Sequence, residues 1–237
     1  AHQVYVIYSY SVSNRPNTIE RNFVYNLNAV STGASVVAGL SCGAGTGVLT
    51  MKNNMVCLGN DMTSGAALYG IYKNTTGADV FIHNSVYIGG SVSGTTQNTY
   101  AFMRDVTTEN TLTGNNIRNN IFVNKRTGGD IGKHFVISSK LTSDYSNPYP
   151  VVCNFNCYDM ASGANNVFGS IASTGFTFAD WKTTTKWDNN SINADPKFVD
   201  ATNAGTPDLS IKLNSSIVDQ KGDATLTATD DYFGATR

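Results

Sequence analysis

Three basic residues, Lys52, His83 and Arg118, recur at intervals of roughly one structural repeat along the chain. In the alignment given below they occupy the same outward position of successive units, so they would run up one face of the molecule. A row of cations can hold an anionic glycan, and a histidine can act as the base of a polysaccharide lyase. The alternative is a solvated face with scattered charges. We take these three residues as a candidate binding site.

Acidic residues that would support hydrolysis are scarce. Glycoside hydrolysis usually needs two carboxyl groups about 5 to 10 Å apart, and glutamate occurs only at positions 20 and 109. Aspartates gather in sequence at positions 159, 180, 188 and 195, but no aligned column carries acids in adjacent units. The chain also lacks a Gly-x-Ser-x-Gly turn. The sequence therefore predicts no catalytic residue, no metal site and no cofactor.

The four cysteines, Cys42, Cys57, Cys153 and Cys157, do not have the spacing of a metal site. A chain of 237 residues can build an apolar core, so an even number of cysteines does not by itself indicate disulfides. We expect buried free thiols that pack as small hydrophobic residues. Whether any of them pair stays open at this point.

A repeat supplies the elements that would position these residues. Five similar segments start about every 31 to 35 residues: IERNFVY from Ile19, MKNNMVC from Met51, IHNSVYI from Ile82, IRNNIFV from Ile117 and VCNFNCY from Val152. A further apolar strand precedes each segment. Such a period is typical of a solenoid, in which each unit buries its apolar face against its neighbours. Three short strands per unit predict an all-β fold, a parallel β-helix solenoid of about five to seven rungs with a C-terminal cap.

Side-chain directions follow from the alignment. The first position is apolar in every unit and should point inward, and the second should point outward. The third position is asparagine in four units, and stacked asparagines at a repeated turn would form a ladder of amide hydrogen bonds. The predicted ladder consists of Asn53, Asn84, Asn119 and Asn154. Arg21 takes this position in the first unit, which indicates an end or a covered rung.

Tyrosine is frequent, with 12 residues, and some of these side chains are candidates for a sugar-binding face that stacks on pyranose rings. The candidates are Tyr8, Tyr10, Tyr72, Tyr100 and Tyr145. The alternative is that they are strand residues packed against their cross-strand neighbours.

Composition excludes several functions. The charged fraction is 14%, the net charge is -1 and no basic run occurs, so a nucleic-acid partner is not expected. No stretch approaches the roughly 18 apolar residues of a membrane span, so membrane insertion is not expected. A surface rich in Asn, Thr, Ser and Gly is typical of extracellular β proteins. The first residues have the pattern of a strand that has already begun. We therefore expect the chain to be a piece of a longer precursor.

The pattern changes after Tyr158, and both tryptophans, Trp181 and Trp187, lie in this part of the chain. The segment FTFADWKTTT predicts a short helical turn with Thr177 as its N-cap. At least one tryptophan should close the end of the solenoid, because an open β-helix end is an exposed sheet edge. We expect rungs in residues 1–160, and the final rungs and a capping segment of the same domain in residues 161–237.

Several motifs carry a resemblance to a known group. They are HNSVYIGG, RNNIFVN, Trp181, NNSI from Asn189, DPKFVD from Asp195, DLSI from Asp208 and DYFGATR from Asp231. Through them nearly the whole chain resembles the right-handed parallel β-helix, pectate-lyase-like repeat proteins of bacterial surfaces and secretions. The resemblance implies a secreted or cell-surface protein of a kind often exported by the type IX route. The segment LNSSIVDQKGD departs from the group's Pro-Gly-Ser-Pro-Ala-Ile-Asp-x-Gly run.

These features favour a non-catalytic extracellular β-helix module that acts in adhesion, in carbohydrate binding or as a structural stalk. Its expected partners are a polysaccharide or cell-surface glycan, or other domains or copies of a larger surface assembly. The alternative is the C-terminal part of a polysaccharide lyase or glycoside hydrolase whose active rungs lie upstream. Fold alone does not decide between them.

Overall fold

The computed structural model describes residues 2–10, 15–30, 34–43, 47–94, 96–107, 114–141, 152–212, 217–226 and 230–235. Strands follow one another in successive rungs. The first rung is β1 (Gln3–Ser9), β2 (Asn17–Glu20) and β3 (Phe23–Val24); the second is β4 (Val36–Cys42), β5 (Leu49–Lys52) and β6 (Met55–Leu58). The third is β7 (Ala67–Lys73), β8 (Val80–Ile82) and β9 (Ser85–Ile88), followed by the short β10 (Ser91–Val92).

The fourth rung is β11 (Thr99–Arg104), β12 (Asn116–Arg118) and β13 (Ile121–Asn124), followed by β14 (Thr127–Gly128); the fifth is β15 (His134–Ser139), β16 (Val152–Asn154) and β17 (Cys157–Met160). The chain continues with β18 (Asn166–Ile171), β19 (Thr174–Phe176), helix α1 (Phe178–Thr185), β20 (Ile192–Asn193), β21 (Phe198–Asp200) and β22 (Asp208–Ile211).

Equivalent strands of successive rungs pair in parallel and form three sheets. Sheet A has the order β1-β4-β7-β11-β15-β18-β19, sheet B the order β16-β12-β8-β5-β2, and sheet C the order β20-β17-β13-β9-β6-β3. Only β19 departs from this rule in the three sheets, since it pairs with β18 in antiparallel orientation. The all-β parallel solenoid predicted from the repeat is confirmed.

The core lies between the three sheets and is built from inward residues that stack from rung to rung. Sheet C contributes the fully or nearly fully buried Val24, Val56, Val86, Phe122 and Tyr158. Each rung is only one strand thick along the solenoid axis. An inward residue therefore packs against its equivalents in the rungs above and below as well as across the core. A single rung therefore has no core of its own.

The predicted register is shifted in two units. Phe81, with 0% exposure, pairs with Met51 and Ile117 and is the inward residue of the third rung, whereas Ile82 pairs with Lys52. In the fifth rung Cys153 is buried and Val152 is 40% exposed, the reverse of the prediction. A one-residue shift exchanges the two faces of a strand, because successive side chains point in opposite directions.

A sharp corner joins sheet B to sheet C in every rung. Its residues have left-handed backbone conformations, with φ between 54° and 58°. They are Arg21, Asn53, His83, Asn119 and Phe155. Asparagine tolerates this conformation better than most residues, which explains why it recurs here.

Helix α1 closes the C-terminal end of the solenoid. Thr177 Oγ1 accepts a hydrogen bond from Asp180 N at 3.2 Å, so Thr177 is the N-cap, as predicted. Trp181 is completely buried and contacts Phe168 and Trp187 edge to face. The prediction that a tryptophan closes the solenoid is confirmed.

The remaining C-terminal residues lie along the side of the solenoid, over the outer face of sheet C. We call residues 195–212, 217–226 and 230–235 the C-terminal cover. Its side chains Phe198, Ala201 and Leu209 pack against Cys57 and Tyr87 of sheet C in an apolar cluster separate from the main core. The cover therefore shields an outer surface that would otherwise be apolar and exposed.

Candidate functional site

A ladder of polar side chains runs through the corner between sheets B and C. Its members are Asn22, Asn54, Asn84, Asn120, Asn156 and Ser191. The contact between Asn54 and Asn84 illustrates the repeat: Asn84 Oδ1 accepts from Asn54 N at 3.1 Å and from Asn54 Nδ2 at 3.0 Å. Each amide thus satisfies buried backbone as well as side-chain groups of the adjacent rung.

The predicted ladder contains one correct position and three incorrect ones. Asn84 belongs to the ladder, but Asn53 and Asn119 are the left-handed residues just before it. Asn53 Nδ2 donates to Asp230 O at 2.9 Å, and Asn119 Oδ1 accepts from Asp223 N at 2.7 Å. Asn154 Oδ1 accepts from Asn190 N at 2.8 Å. These three side chains bind the C-terminal part of the chain rather than one another.

The predicted basic column is also interrupted. Strand pairing aligns Lys52 with Ile82 and Ile82 with Arg118, so the third rung places an isoleucine between the two cations. His83 lies one residue further along, at the left-handed corner, with its Nε2 3.5 Å from Asn119 Nδ2. Lys52, His83 and Arg118 are therefore on the same side of the molecule but not in one column.

Both cations have acidic partners. Lys52 Nζ lies 2.8 Å from Glu20 Oε2, and Arg118 donates to Asp223 Oδ2 at 2.5 Å. Asp230 of the C-terminal cover forms a third ion pair, with Arg21 at 3.1 Å. An anionic glycan at this position would have to displace these carboxylates, two of which belong to the cover.

A cavity of about 1030 Å³ separates the C-terminal cover from the corner of the solenoid. Its floor includes Met55, Ile121 and Ile192 of sheet C, and its opposite wall includes Ile211 and Tyr232. His83 also lines it. The cavity is mainly apolar, and its described lining also includes Asp219, Asp223 and Asp231, of which Asp223 pairs with Arg118.

The C-terminal aspartates have structural partners. Asp188 is completely buried and accepts hydrogen bonds from Trp181 Nε1 at 2.9 Å and Tyr158 Oη at 3.0 Å, and also from Ser191 Oγ at 2.6 Å. Asp159 pairs with Lys125 at 2.7 Å. Asp188 thus ties the end of the ladder to the capping tryptophan.

All four cysteines are free and buried. Burial raises the pKa of Cys42, Cys57 and Cys157 to about 12, so these thiols are not ionised near neutral pH. In the parts of the chain that the structure describes, no group of three or more His, Cys, Asp or Glu side chains is arranged to hold a metal ion.

The outer face of sheet A carries a column of aromatic rings. Tyr69, Tyr100 and Phe135 occupy equivalent positions in three successive rungs. Their ring centroids are 5.1 and 5.2 Å apart and the rings are nearly parallel, at 13° and 8°. Because the rings face each other along the solenoid axis, Tyr69 and Tyr100 present mainly their edges and hydroxyl groups, whereas Phe135 is only 8% exposed.

A second outward position three residues later adds more rings. Tyr72 lies 4.8 Å from Tyr69, and in the first rung Tyr8 lies 5.7 Å from Tyr5. Tyr8 is 52% exposed, whereas the other three tyrosines are partly buried. We call the set Tyr5, Tyr8, Tyr69, Tyr72, Tyr100 and Phe135 the aromatic face.

Polar groups border the aromatic face. Tyr72 Oη donates to Asp105 Oδ2 at 2.5 Å, and Asp105 also pairs with Lys140. Asn98 Nδ2 donates to Tyr100 Oη at 2.9 Å. Burial raises the pKa of Tyr72, and the hydrogen bond to Asp105 raises it further, so this phenol remains neutral and orients its ring.

Of the tyrosines predicted to form a sugar-binding surface, Tyr8, Tyr72 and Tyr100 lie on the aromatic face. Tyr10 is exposed just beyond β1, and Tyr145 lies outside the described residues. Sequence reasoning missed Tyr5, Tyr69 and Phe135. With Tyr100 they share one strand position in the segments VYVIYSY, ALYGIYK, TYAFMRD and KHFVISS. An alignment of these strands would have revealed the column.

Comparison with protein-family models, with curated proteins and with solved structures finds no match for this chain. Among the described residues no helix has the length and apolar character needed to cross a membrane. The chemistry that the site can support therefore follows from its own geometry. It offers neutral aromatic rings, phenol hydroxyls and amides on an open sheet.

Proposed function

We propose that this protein is a glycan-binding module and that the aromatic face of sheet A is its binding surface. The observation that carries the proposal is the concentration of six outward aromatic rings on one sheet, drawn from four rungs. Tyrosine combines a large apolar body with a polar tip, which suits a surface that meets both the apolar C–H faces and the hydroxyl groups of sugars.

The rigidity of the surface supports the same proposal. Each ring stands on a strand whose neighbours fix it by parallel pairing, and Tyr69, Tyr100 and Phe135 also fix one another by stacking. A binding surface that is already ordered loses little side-chain entropy when a ligand arrives. A polysaccharide laid along the solenoid axis would meet rings in the first, third, fourth and fifth rungs.

The role that we propose is non-catalytic and extracellular, at a cell surface or in a secretion. Low charge, an Asn- and Thr-rich composition and the resemblance to pectate-lyase-like β-helix proteins support it. Export by the type IX route is part of the same proposal, since it follows from that resemblance. Adhesion would then result from retention of a glycan on this face.

A glycan array followed by affinity electrophoresis tests the proposal. We expect retention by a neutral polysaccharide, and binding at least about tenfold weaker for the double variant Tyr69→Ala and Tyr100→Ala, since each stacked aromatic contributes on the order of 1 kcal/mol. The matched variant on the opposite corner, Lys52→Gln with His83→Asn and Arg118→Gln, should bind like the unaltered protein.

Two results would contradict this proposal. If the corner variant loses retention on alginate or pectin while the tyrosine variant keeps it, the binding surface lies at the basic residues. If the unaltered protein releases reducing ends from the bound polysaccharide, the chain belongs to an enzyme, and the lyase or hydrolase alternative replaces a simple binding role.

A further inference from the structure

The aromatic face is interrupted at its second rung. At the two positions where other rungs carry rings, β4 has only Ala38 and Ser41, which pair with Tyr69 and Tyr72 on one side and with Tyr5 and Tyr8 on the other. Ser41 lines a cavity of about 330 Å³. Its described lining consists of Gln3, Tyr5, Tyr8, Ser41, Cys42, Gly43, Tyr72 and Asn74, and we call it the notch.

Aromatic rings form the walls of the notch. The rings of Tyr5 and Tyr72 face each other at 27° with their centroids 6.4 Å apart, across the rung that lacks a ring. The Tyr8 hydroxyl rests on Gly43, where an added Cβ would lie only 1.8 Å from it. Any other residue at position 43 would displace Tyr8, so glycine here determines the shape of the notch.

The hydroxyl group of Ser41 lines the notch without a hydrogen-bond partner. Ser41 is 1% exposed, and its Oγ is among the buried polar atoms that have no partner. A buried hydroxyl without a partner is unfavourable, and native structures usually satisfy such groups. A ligand hydroxyl that enters the notch would supply the missing hydrogen bond.

No charged side chain is among the described lining residues of the notch. Lys73, between Tyr72 and Asn74, points into the protein, where its Nζ binds Asp79 Oδ2 at 2.9 Å and Thr75 Oγ1 at 2.8 Å. Asp105 accepts from Tyr72 and pairs with Lys140. The uncharged polar side chains of the lining are two amides, from Gln3 and Asn74, the Ser41 hydroxyl and the tyrosine hydroxyls.

We infer that the notch binds one uncharged sugar unit, a neutral pyranose that packs against Tyr8 and Tyr72 and hydrogen-bonds to Ser41. A volume of about 330 Å³ is at the small end of ligand sites, which range from about 300 to 1,000 Å³. A uronic acid would bring a carboxylate into a site that offers no cation, and desolvating that charge is costly. This inference rests on the proposed glycan-binding function and specifies its ligand class.

Isothermal titration calorimetry with the intact chain tests the inference, using neutral hexasaccharides of glucose, mannose and xylose beside oligogalacturonate. At least one neutral ligand should bind and the acidic one should bind at least tenfold more weakly. Ser41→Ala should weaken the neutral ligand about three- to tenfold, the effect of one lost hydrogen bond. Ser41→Tyr, which places a ring at the position equivalent to Tyr8 and Tyr72, should abolish binding in the notch.

Thr50→Val is the matched control, because it removes a hydroxyl from β5 of sheet B, outside both the aromatic face and the notch, and should leave affinity within about twofold. Thermal unfolding of each variant shows whether it is folded, and Ser41→Ala keeps the test valid if Ser41→Tyr misfolds. Unchanged affinity in Ser41→Ala would overturn the notch site, as would a preference for oligogalacturonate. If the notch site is overturned but the double variant Tyr69→Ala and Tyr100→Ala loses binding, the proposed function stands. If no glycan binds the unaltered protein, both the notch site and the proposed function fail.

Discussion

The outer faces of sheet A and sheet C differ although the same rungs build both. Sheet C presents Met55, Cys57 and Val123 outward, and the C-terminal cover packs Phe198 and Leu209 on them. Sheet A presents tyrosines, whose hydroxyl groups remain near solvent. An aliphatic outer face needs a cover, whereas an amphipathic aromatic one does not, because the phenol oxygen can bind water.

This difference assigns separate tasks to the two faces. The covered face of sheet C contributes to stability, since its residues are removed from water by the cover. The aromatic face of sheet A is the surface that we propose for glycan binding, and its tyrosines are exposed or only partly buried. The comparison can be tested by changing each face separately.

The largest expected effect is on the covered face. Leu209→Asp places an unpaired carboxylate at a position with 1% exposure and should destabilise the protein by about 4 kcal/mol or more. Tyr100→Asp on the aromatic face, where the residue is only partly buried, should cost about half as much or less. Chemical denaturation monitored by circular dichroism measures both; equal losses would contradict the assignment of separate tasks.

The asparagine ladder joins successive rungs, and the same rungs carry both faces. Its loss should therefore destabilise both faces. Asn120→Ala removes the acceptor of Asn84 N and the donor to Phe81 O, both buried, and should cost about 3 kcal/mol. Asn119→Gly is the control at the adjacent position, because glycine keeps the left-handed conformation, and should cost about 1 kcal/mol or less. If Asn119→Gly destabilised the protein more than Asn120→Ala, the ladder register predicted from the sequence would be the correct one.

The smallest expected effect is a pH response confined to the covered face. Hydrogen bonds from Thr225, and in addition the charge of Arg118, lower the pKa of Asp223. A carboxyl whose pKa is lowered by folding stabilises the folded state above its unfolded pKa of about 3.9, and this contribution is lost as pH falls further. Below about pH 4 the C-terminal cover should loosen while sheet A stays protected.

Hydrogen exchange measured at pH 6 and pH 3, after correction for intrinsic rates, checks this response. Residues 217–226 should lose protection at the lower pH, and Asp223→Asn should show the lower protection at both values. Equal loss of protection in sheet A and in the cover would indicate global unfolding instead of a local response.

The sequence by itself determined the solenoid. Its repeat, its alternation of apolar residues and its recurring asparagines together indicate parallel rungs, because a short unit of this kind can bury its apolar side only against its neighbours. It also determined the capping helix, through Thr177 and Trp181. Each of these features depends on local spacing, which can be seen in a single chain.

Tertiary structure decided the register of the corner. Asn53 is followed by Asn54 and Asn119 by Asn120, so the sequence offers two adjacent candidates in these two units. Hydrogen bonds between rungs select the second one. A difference of one residue moves every neighbouring side chain to the opposite face of the strand, and for that reason the predicted basic column was interrupted by Ile82.

Tertiary structure also decided what lies outside the rungs. The path of the C-terminal cover brings Asp223 to Arg118 and Asp230 to Arg21, contacts between residues more than 100 positions apart that no local pattern specifies. The notch likewise exists because Ser41 falls between two rungs that carry tyrosines at the equivalent position. The sequence shows which residues are small or aromatic, but only the stacking of strands places a gap beside a ring.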